Sequence, residues 1–445
     1  MAGEWVVASL GDLVEIKHGY AFRGEFFRDE PIGDILLTPG NFAIGGGFRD
    51  NKFKYYDGPV PNDFVLKEGD LIVTMTDLSK NADTLGFAAC VPAHVEGRHF
   101  LHNQRLGKVT ITNEQAADLG FIEYLMRSTE YRHEIVASAT GTTVKHTSPE
   151  RIKRFRFLLP PLSEQRAIAC ILGALDDKIE LNRRMNRTLE AMARALFQSW
   201  FVDFDPVRAK LAGQAPAGLK PEIAALFPDR LVEVEGREAP EGWEVQALPR
   251  VMDINPKRLL SRGMVAPYLD MSNMPTQGPS PDTWTIREVG SGMKFVNGDT
   301  LVARITPCLE NGKTAFVDFL ADGQTGWGST EYIVLRPKGM VPAVFAYILA
   351  RTESFRSFAI HQMTGSSGRQ RVPAASLINY SIVLPEIDSP IFAQFGESVT
   401  PMFDRIKTTM MQSRTLAALR DTLLPKLISG ALRVPDAERI VGKCM

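Results

Sequence analysis

At 445 residues the chain exceeds what one hydrophobic core usually supports, so two or three domains are expected. Its 44% hydrophobic and 23% charged residues are ordinary for a globular protein, and its four scattered cysteines, without a C-x-x-C pair, argue against a zinc cluster or a disulfide framework. A net charge of −1 leaves any basic surface local, no apolar run approaches the roughly 18 residues needed to span a bilayer, and the opening "MAGEWVVASLGDLVEIKHG" has no basic lead or apolar core, so a cytoplasmic protein without membrane contact is expected.

In chain order, residues 1–160 read first as a β-rich region. Short runs of Val, Ile, Phe and Thr such as "GDLIVTMT" are bounded by Gly, Asp, Asn and Pro, the pattern of strands between turns. A helical stretch, "EQAADLGFIEYLMRSTEYRHEIVA", follows, then a Thr140-Gly141 turn and a strand ending in Leu-Leu-Pro at Pro160.

Residues 161–204 read as one long helix. Ser163 is the expected N-cap and Glu164 suits the positive end of the helix dipole, with the helix running to about Ser199. Steps of four and three place Ile168, Leu172, Leu175, Ile179, Asn182, Asn186 and Leu189 on one seam, the 3.5-residue period of a coiled coil. About 38 residues at 1.5 Å each make a rod of roughly 57 Å. Residues 205–242, rich in Pro, Ala and Gly, read as a connector with one short helix at most.

From Trp243 the chain repeats itself. Gly69-Asp70 recurs as Gly298-Asp299, Thr140-Gly141 as Thr364-Gly365, the strand ending at Pro160 as the one ending at Pro385, and Asp177-Lys178-Ile179 as Asp404-Arg405-Ile406. Residues 243–385 are therefore a second β-rich region, 386–430 a second long helix and 431–445 a tail. The second seam is Val399, Met402, Ile406, Thr409, Ser413, Leu416 and Leu423, with a kink or a helix start expected at Pro401. In both seams the middle positions are polar: Asn182 and Asn186 in one, Thr409 and Ser413 in the other. Antiparallel packing brings these polar centres together and fixes the register. The expected fold class is α+β: two tandem β-rich domains separated by a pair of long antiparallel coiled-coil helices, with pseudo-two-fold symmetry.

Catalytic motifs are missing from this inventory. There is no phosphate loop, no G-x-G-x-x-G after a strand, no H-E-x-x-H and no nucleophile elbow, and the histidines have no consistent spacing. No catalytic residue, metal ligand or cofactor is assigned. What the β-rich regions do hold are loops of side chains able to read base edges, where Arg and Lys suit guanine, Asn and Gln suit adenine, and Ser and Thr suit either. In the first region these are Thr74, Thr76, Ser79, Lys80 and Asn81; His102, Asn103, Gln104 and Arg105; and Thr142, Thr143 and Lys145. Their counterparts are Arg304, Thr306, Asn311 and Lys313; Ser329 and Thr330; and Ser366, Ser367, Arg369, Gln370 and Arg371. Residues 1–160 hold 18 Lys plus Arg against 21 Asp plus Glu, a net −3, and residues 237–385 hold 15 against 13, a net +2. Neither region would hold DNA tightly through phosphate contacts alone.

The duplicated regions, the segment "PPLSEQRAIACILGALDDKIELNRR" with "ALFQSWFVDFDPVRAK" after it, and the worn copy "LPEIDSP" together resemble the DNA-specificity subunit of bacterial type I restriction-modification systems. That resemblance implies a non-catalytic subunit in which each region reads one half of a bipartite double-stranded DNA target. It implies that the paired helices set the spacer and dock two methyltransferase subunits, which carry S-adenosylmethionine and the chemistry, and that motor-nuclease subunits join that core. The residues themselves also admit a coiled-coil adaptor whose two heads bind protein, or an unrecognised enzyme.

Overall fold

The computed structural model describes residues 4–50, 53–79, 81–93, 97–366 and 368–442. The chain divides into two compact units, Met1–Lys178 with Thr415–Met445, and Ile179–Arg414, so that each unit contains a segment of both long helices.

In the first unit, a four-stranded antiparallel sheet runs in the order Val14–His18, Leu106–Ile111, Leu71–Thr74, Ala88–Cys90. A five-stranded sheet runs in the order Phe27–Arg28, Lys54–Tyr56, Asp34–Leu36, Phe100–Leu101, Val65–Leu66, with one parallel pair in which Phe100 faces Ile35. Ile35, Leu37, Phe42, Leu66, Ile72, Phe100 and Leu106 form an apolar core there. Fully burying each such side chain contributes about 1.5–3 kcal/mol.

The second unit repeats the plan. Met252–Ile254, Tyr332–Pro337, Thr300–Ala303 and Thr314–Phe316 form a four-stranded sheet in the corresponding order, and Thr285–Glu288, Val265–Leu269, Gly326–Gly328 and Met293–Phe295 form another with its own parallel pair, Tyr268 facing Trp327. The repeat extends to single contacts. Asp70 accepts from the Lys67 amide at 2.9 Å and pairs with Lys108 at 2.6 Å; Asp299 accepts from the Val296 amide at 2.9 Å and faces Arg336 at 3.3 Å. Each sheet is followed by a helix pair, Leu119–Leu125 with Thr129–Ala137 and Ala343–Ala350 with Glu353–His361. The hydroxyls of Ser128 and Thr352 cap the second helix of each pair, at 3.4 Å from the Tyr131 amide and 3.3 Å from the Phe355 amide.

The first long helix spans Leu162–Phe201 and the second Pro390–Ile428. Ser163 lies inside the first helix instead of capping it, because the amides of Glu164 and Gln165 already bond the Pro161 carbonyl. The second helix neither begins near Pro401 nor ends there; Val399, Phe403 and Ile406 are buried on either side of the proline, and their packing offsets its missing amide. The connector holds more structure than its composition indicates: helices Asp205–Leu211 and Pro221–Ala224 and a hairpin of Leu231–Val234 with Arg237–Pro240.

Within the second unit the long helices pack antiparallel. Phe197 and Trp200 meet Phe395, and Phe201 stacks on Phe392 at 5.5 Å. The polar centres meet there too: the Asn182 amide donates to Gln412 Oε1 at 3.0 Å and Ser413 Oγ at 3.1 Å, and the Thr409 hydroxyl donates to Asn186 Oδ1. Within the first unit Arg420 of the second helix donates to Asp176 of the first at 2.5 Å, while Arg433, just beyond the end of the second helix, donates to Glu164 near the start of the first at 3.2 Å, so the chain directions are again opposite. Ile168, Leu172, Leu175 and Ile179 are buried on the first seam, and Val399, Ile406, Thr409, Leu416 and Leu423 on the second; Asn186, Leu189, Met402 and Ser413 are half-buried.

Candidate nucleic-acid interface

In the first unit, strand Leu71–Thr74 continues into a short segment, Thr76–Asp77, that pairs antiparallel with Lys145–His146. Thr140 then exchanges backbone hydrogen bonds with His146, closing the loop that holds Thr142 and Thr143. The Met75 amide donates to the Arg105 carbonyl at 2.9 Å, which brings in the 102–105 loop. All three predicted loops of this region therefore converge. Two of them border an open cleft of about 610 Å³, whose lining includes Ser79, Asn103, Gln104 and Arg105 with Asp77, Leu78, Ile44, Arg49 and Lys54.

The residues of these loops divide by burial. Thr74 is fully buried, its hydroxyl donating to the Thr84 carbonyl and accepting from the Gly86 amide, and Thr76 is buried against His146 Nδ1 at 3.2 Å. His102 is buried with its ring on the Leu106 carbonyl at 3.0 Å; burial lowers its pKa to about 4, so it is neutral at physiological pH. Asn103 is buried and its Oδ1 accepts from the Arg105 amide at 3.0 Å. Ser79 is half-buried and accepts from the Asp83 amide, and Lys145 is half-buried. Asn81, Gln104, Arg105, Thr142 and Thr143 are exposed, and Lys80 lies outside the described residues.

Asp77, which the motif reading passed over, braces the first loop. Burial pushes its carboxyl up, but bonds from the Thr84 hydroxyl and the Ser79 and Thr84 amides outweigh that and hold it below the usual carboxylate range. Beside it Leu78 is 67% exposed and Ile44 is 74% exposed, two large apolar side chains open to solvent at the cleft. Polarity-based selection of readers could not have found them.

In the second unit Ile305 bridges to Arg371 and Arg371 bridges to Thr364, as Thr76 bridges to His146 and His146 to Thr140 in the first. The Thr306 amide donates to the Gln370 carbonyl and the Val372 amide to the Arg304 carbonyl, so the 304–313 and 364–371 loops lie together. Glu331 joins them. Its carboxylate accepts from Arg371 Nε at 2.8 Å and faces Arg304 at 3.9 Å, and its backbone carbonyl accepts from the Arg304 amide as that of Arg105 does from Met75. The repeat thus puts Arg105 in one unit where Glu331 stands in the other, so the matching loops present different charge.

The Ser329 hydroxyl accepts from the Glu331 amide at 3.1 Å, the Thr306 hydroxyl reaches Glu310 at 3.4 Å, and Lys313 donates to the Met271 carbonyl at 2.5 Å. Asn311, Thr330, Ser366 and Arg369 are exposed and Gln370 is half-buried, while Ser367 lies outside the described residues. Among the described residues no His/Cys/Asp/Glu cluster is arranged to hold a metal ion, and no helix is long and apolar enough to cross a membrane.

Two regions with one plan, their polar loops gathered at corresponding places, and two long paired helices describe an architecture that can be compared with known proteins. Residues 2–191 match the family model of the type I restriction modification DNA specificity domain. Residues 2–191 therefore carry this domain, and the chain as a whole is similar to type I restriction-modification specificity subunits. It is 26% identical to the type I restriction enzyme HindI specificity subunit of Haemophilus influenzae over 68% of this chain and 75% of that one. It is 24% identical to the MjaIX specificity subunit of Methanocaldococcus jannaschii over 71% and 69%. Its fold matches the crystal structure of the type I restriction-modification system S subunit from M. genitalium with a TM-score of 0.55 at 15% identity, covering 96% of both chains.

Proposed function

We propose that this chain is a type I restriction-modification specificity subunit, the non-catalytic reader of its complex, in which the two β-rich regions each bind one half of a bipartite DNA target. The observation that carries this reading is the repeated bridge Thr76–His146–Thr140 and Ile305–Arg371–Thr364, which gathers polar, sequence-divergent loops at the same place on two copies of one scaffold. A scaffold kept constant under loops that differ is the arrangement a modular reader needs.

In this reading Asn81, Gln104, Arg105, Thr142 and Thr143 in the first region, and Asn311, Thr330, Ser366, Arg369 and Gln370 in the second, reach base edges or phosphates. Thr74, Thr76, His102, Asn103, Arg304, Lys313, Ser329 and Arg371, bonded within the protein, hold those loops in shape. The paired helices set the unread spacer and dock two methyltransferase subunits, which supply S-adenosylmethionine and the chemistry, and motor-nuclease subunits join the complex. The near-neutral charge of each region fits a reader whose partners close on the duplex and contribute phosphate contacts. Co-expression with the methyltransferase subunits and mapping of modified bases tests the reading: it predicts one two-part motif with an unread gap. Modification at a continuous motif, or unchanged modification without this chain, would contradict it.

A further inference from the structure

The second unit contains another cleft, of about 380 Å³, apart from the loops described above. It is lined by Arg194 of the first long helix, by Arg351 at the turn between helices Ala343–Ala350 and Glu353–His361, by Arg356 in the first turn of the latter, and by Glu353, Ser357 and Ile360. Three guanidinium groups face a single carboxylate there. Among the described residues none of the three forms a salt bridge. Arg351 donates to the carbonyls of Thr276, Gly278 and Thr314, and Arg356 to the carbonyl of Glu310, while the buried Nε atoms of both have no partner. Glu190 is turned to the Tyr347 hydroxyl, which donates to it at 2.7 Å. Carbonyl bonds orient a guanidinium but leave its charge unbalanced.

The internal repeat supplies a control. Arg127 and Arg132 occupy the positions of Arg351 and Arg356 in the first unit, and there Arg127 is neutralised by Asp176 at 2.8 Å and Glu123 at 3.7 Å. At the places of Glu123 and Asp176 the second copy has Tyr347 and Phe403. Arg351 persists while the acids of its counterpart have been replaced by aromatic side chains, and Arg132, like Arg356, donates to backbone carbonyls, those of Ala82 and Leu85; the charge of Arg351 is thus left for something outside the chain.

We propose that Arg194, Arg351 and Arg356 form a phosphate-binding cleft that grips the backbone of bound duplex DNA on the side of the second recognition region. This rests on the DNA-reading function above. A backbone phosphate is favoured because Arg356 bonds the carbonyl of Glu310, inside the 304–313 loop of candidate readers, so a duplex lying on that loop passes beside the cleft. Forked guanidinium donors match phosphate oxygens, and the contact carries no sequence information.

The test uses the complex of this chain with its methyltransferase subunits and two probes, a duplex bearing the mapped target and an unrelated duplex, titrated at several salt concentrations. Arg351 supports the fold through three carbonyls, so the variants are Arg194→Gln and Arg356→Gln, with Arg183→Gln, exposed on the same helix but outside the cleft, as the control. The expected result is a three- to ten-fold loss of affinity for both duplexes, an unchanged modified sequence, and a log K against log salt slope shallower by about 0.9 for a lost phosphate contact. An unchanged slope, or an equal change in Arg183→Gln, would overturn the proposal. So would loss of complex assembly with the slope intact, which would assign the cleft to an acidic protein surface. A wild-type complex without sequence preference would count against the reading function instead, and the unrelated duplex would still test the cleft.

Discussion

Asn182 of the first long helix donates its side-chain amide to the Ser413 hydroxyl of the second at 3.1 Å, in the middle of two otherwise apolar seams. The same amide reaches Gln412 Oε1 and the Thr409 carbonyl. Polar groups buried at seam positions reduce stability but penalise every register that leaves them unpaired. Asn182→Ala is therefore expected to destabilise the chain by about 1–2 kcal/mol, with Asn182→Ala/Ser413→Ala costing less than the sum of the single changes. Denaturant titration of the four-member cycle checks this; strict additivity would show that the two residues do not act together.

The loop that follows strand Leu71–Thr74 depends on a carboxylate. Since the pKa of Asp77 is depressed in the folded protein, its contribution is present above the unfolded value of about 3.9 and is lost as pH falls through the lower folded value. Asp77→Asn is expected to accelerate hydrogen exchange at the Ser79 and Thr84 amides at neutral pH, and wild type is expected to lose its advantage as the medium is acidified past that range. Equal protection in both proteins at neutral pH would show that the carboxylate does not hold the loop.

Loop residues of the second region should separate by their bonds. Asn311 is exposed, so Asn311→Ala is expected to relax one base position at a cost of about 1–3 kcal/mol. Arg304 faces Glu331, and Lys313 holds the Met271 carbonyl. Their replacement is expected to lower thermal stability and to weaken binding at every position of that half. Competition binding against a set of single-base variants distinguishes the two patterns.

Spacer length should follow helix length. A matched seven-residue insertion after Ile179 and at the facing position of the second helix extends the paired segment by roughly 10.5 Å, near three base pairs at about 3.4 Å each. The unread gap is expected to lengthen accordingly, or binding to be lost. Full affinity at the original gap would exclude the helices as the ruler.

Much of this architecture is legible in the sequence, because a repeat and a 3.5-residue seam are written along the chain itself. Gly69-Asp70 and Gly298-Asp299 mark the same turn, and the seam positions from Ile168 to Ile179 are buried as their spacing requires. What a loop side chain faces is not written locally. Thr74 looks like a reader until Thr84 and Gly86, brought in by the pairing of Leu71–Thr74 with Ala88–Cys90, take up its hydroxyl, and His102 until the chain turns to set the Leu106 carbonyl, four residues on, against its ring. Glu331 follows directly on Ser329 and Thr330 but does not stand out among them, since an acid reads few base edges and its role here is to hold two arginines. Pro401 would end an isolated helix, and only the packing of Val399, Phe403 and Ile406 carries the chain through it.

The claim that two independent readers share one chain is tested most directly by exchanging residues 1–160 for the same region of another specificity subunit and mapping the bases modified by the resulting complex. The account predicts a hybrid target, with one half replaced and the other half and its modified base retained. A target changed in both halves, or in neither, would contradict it.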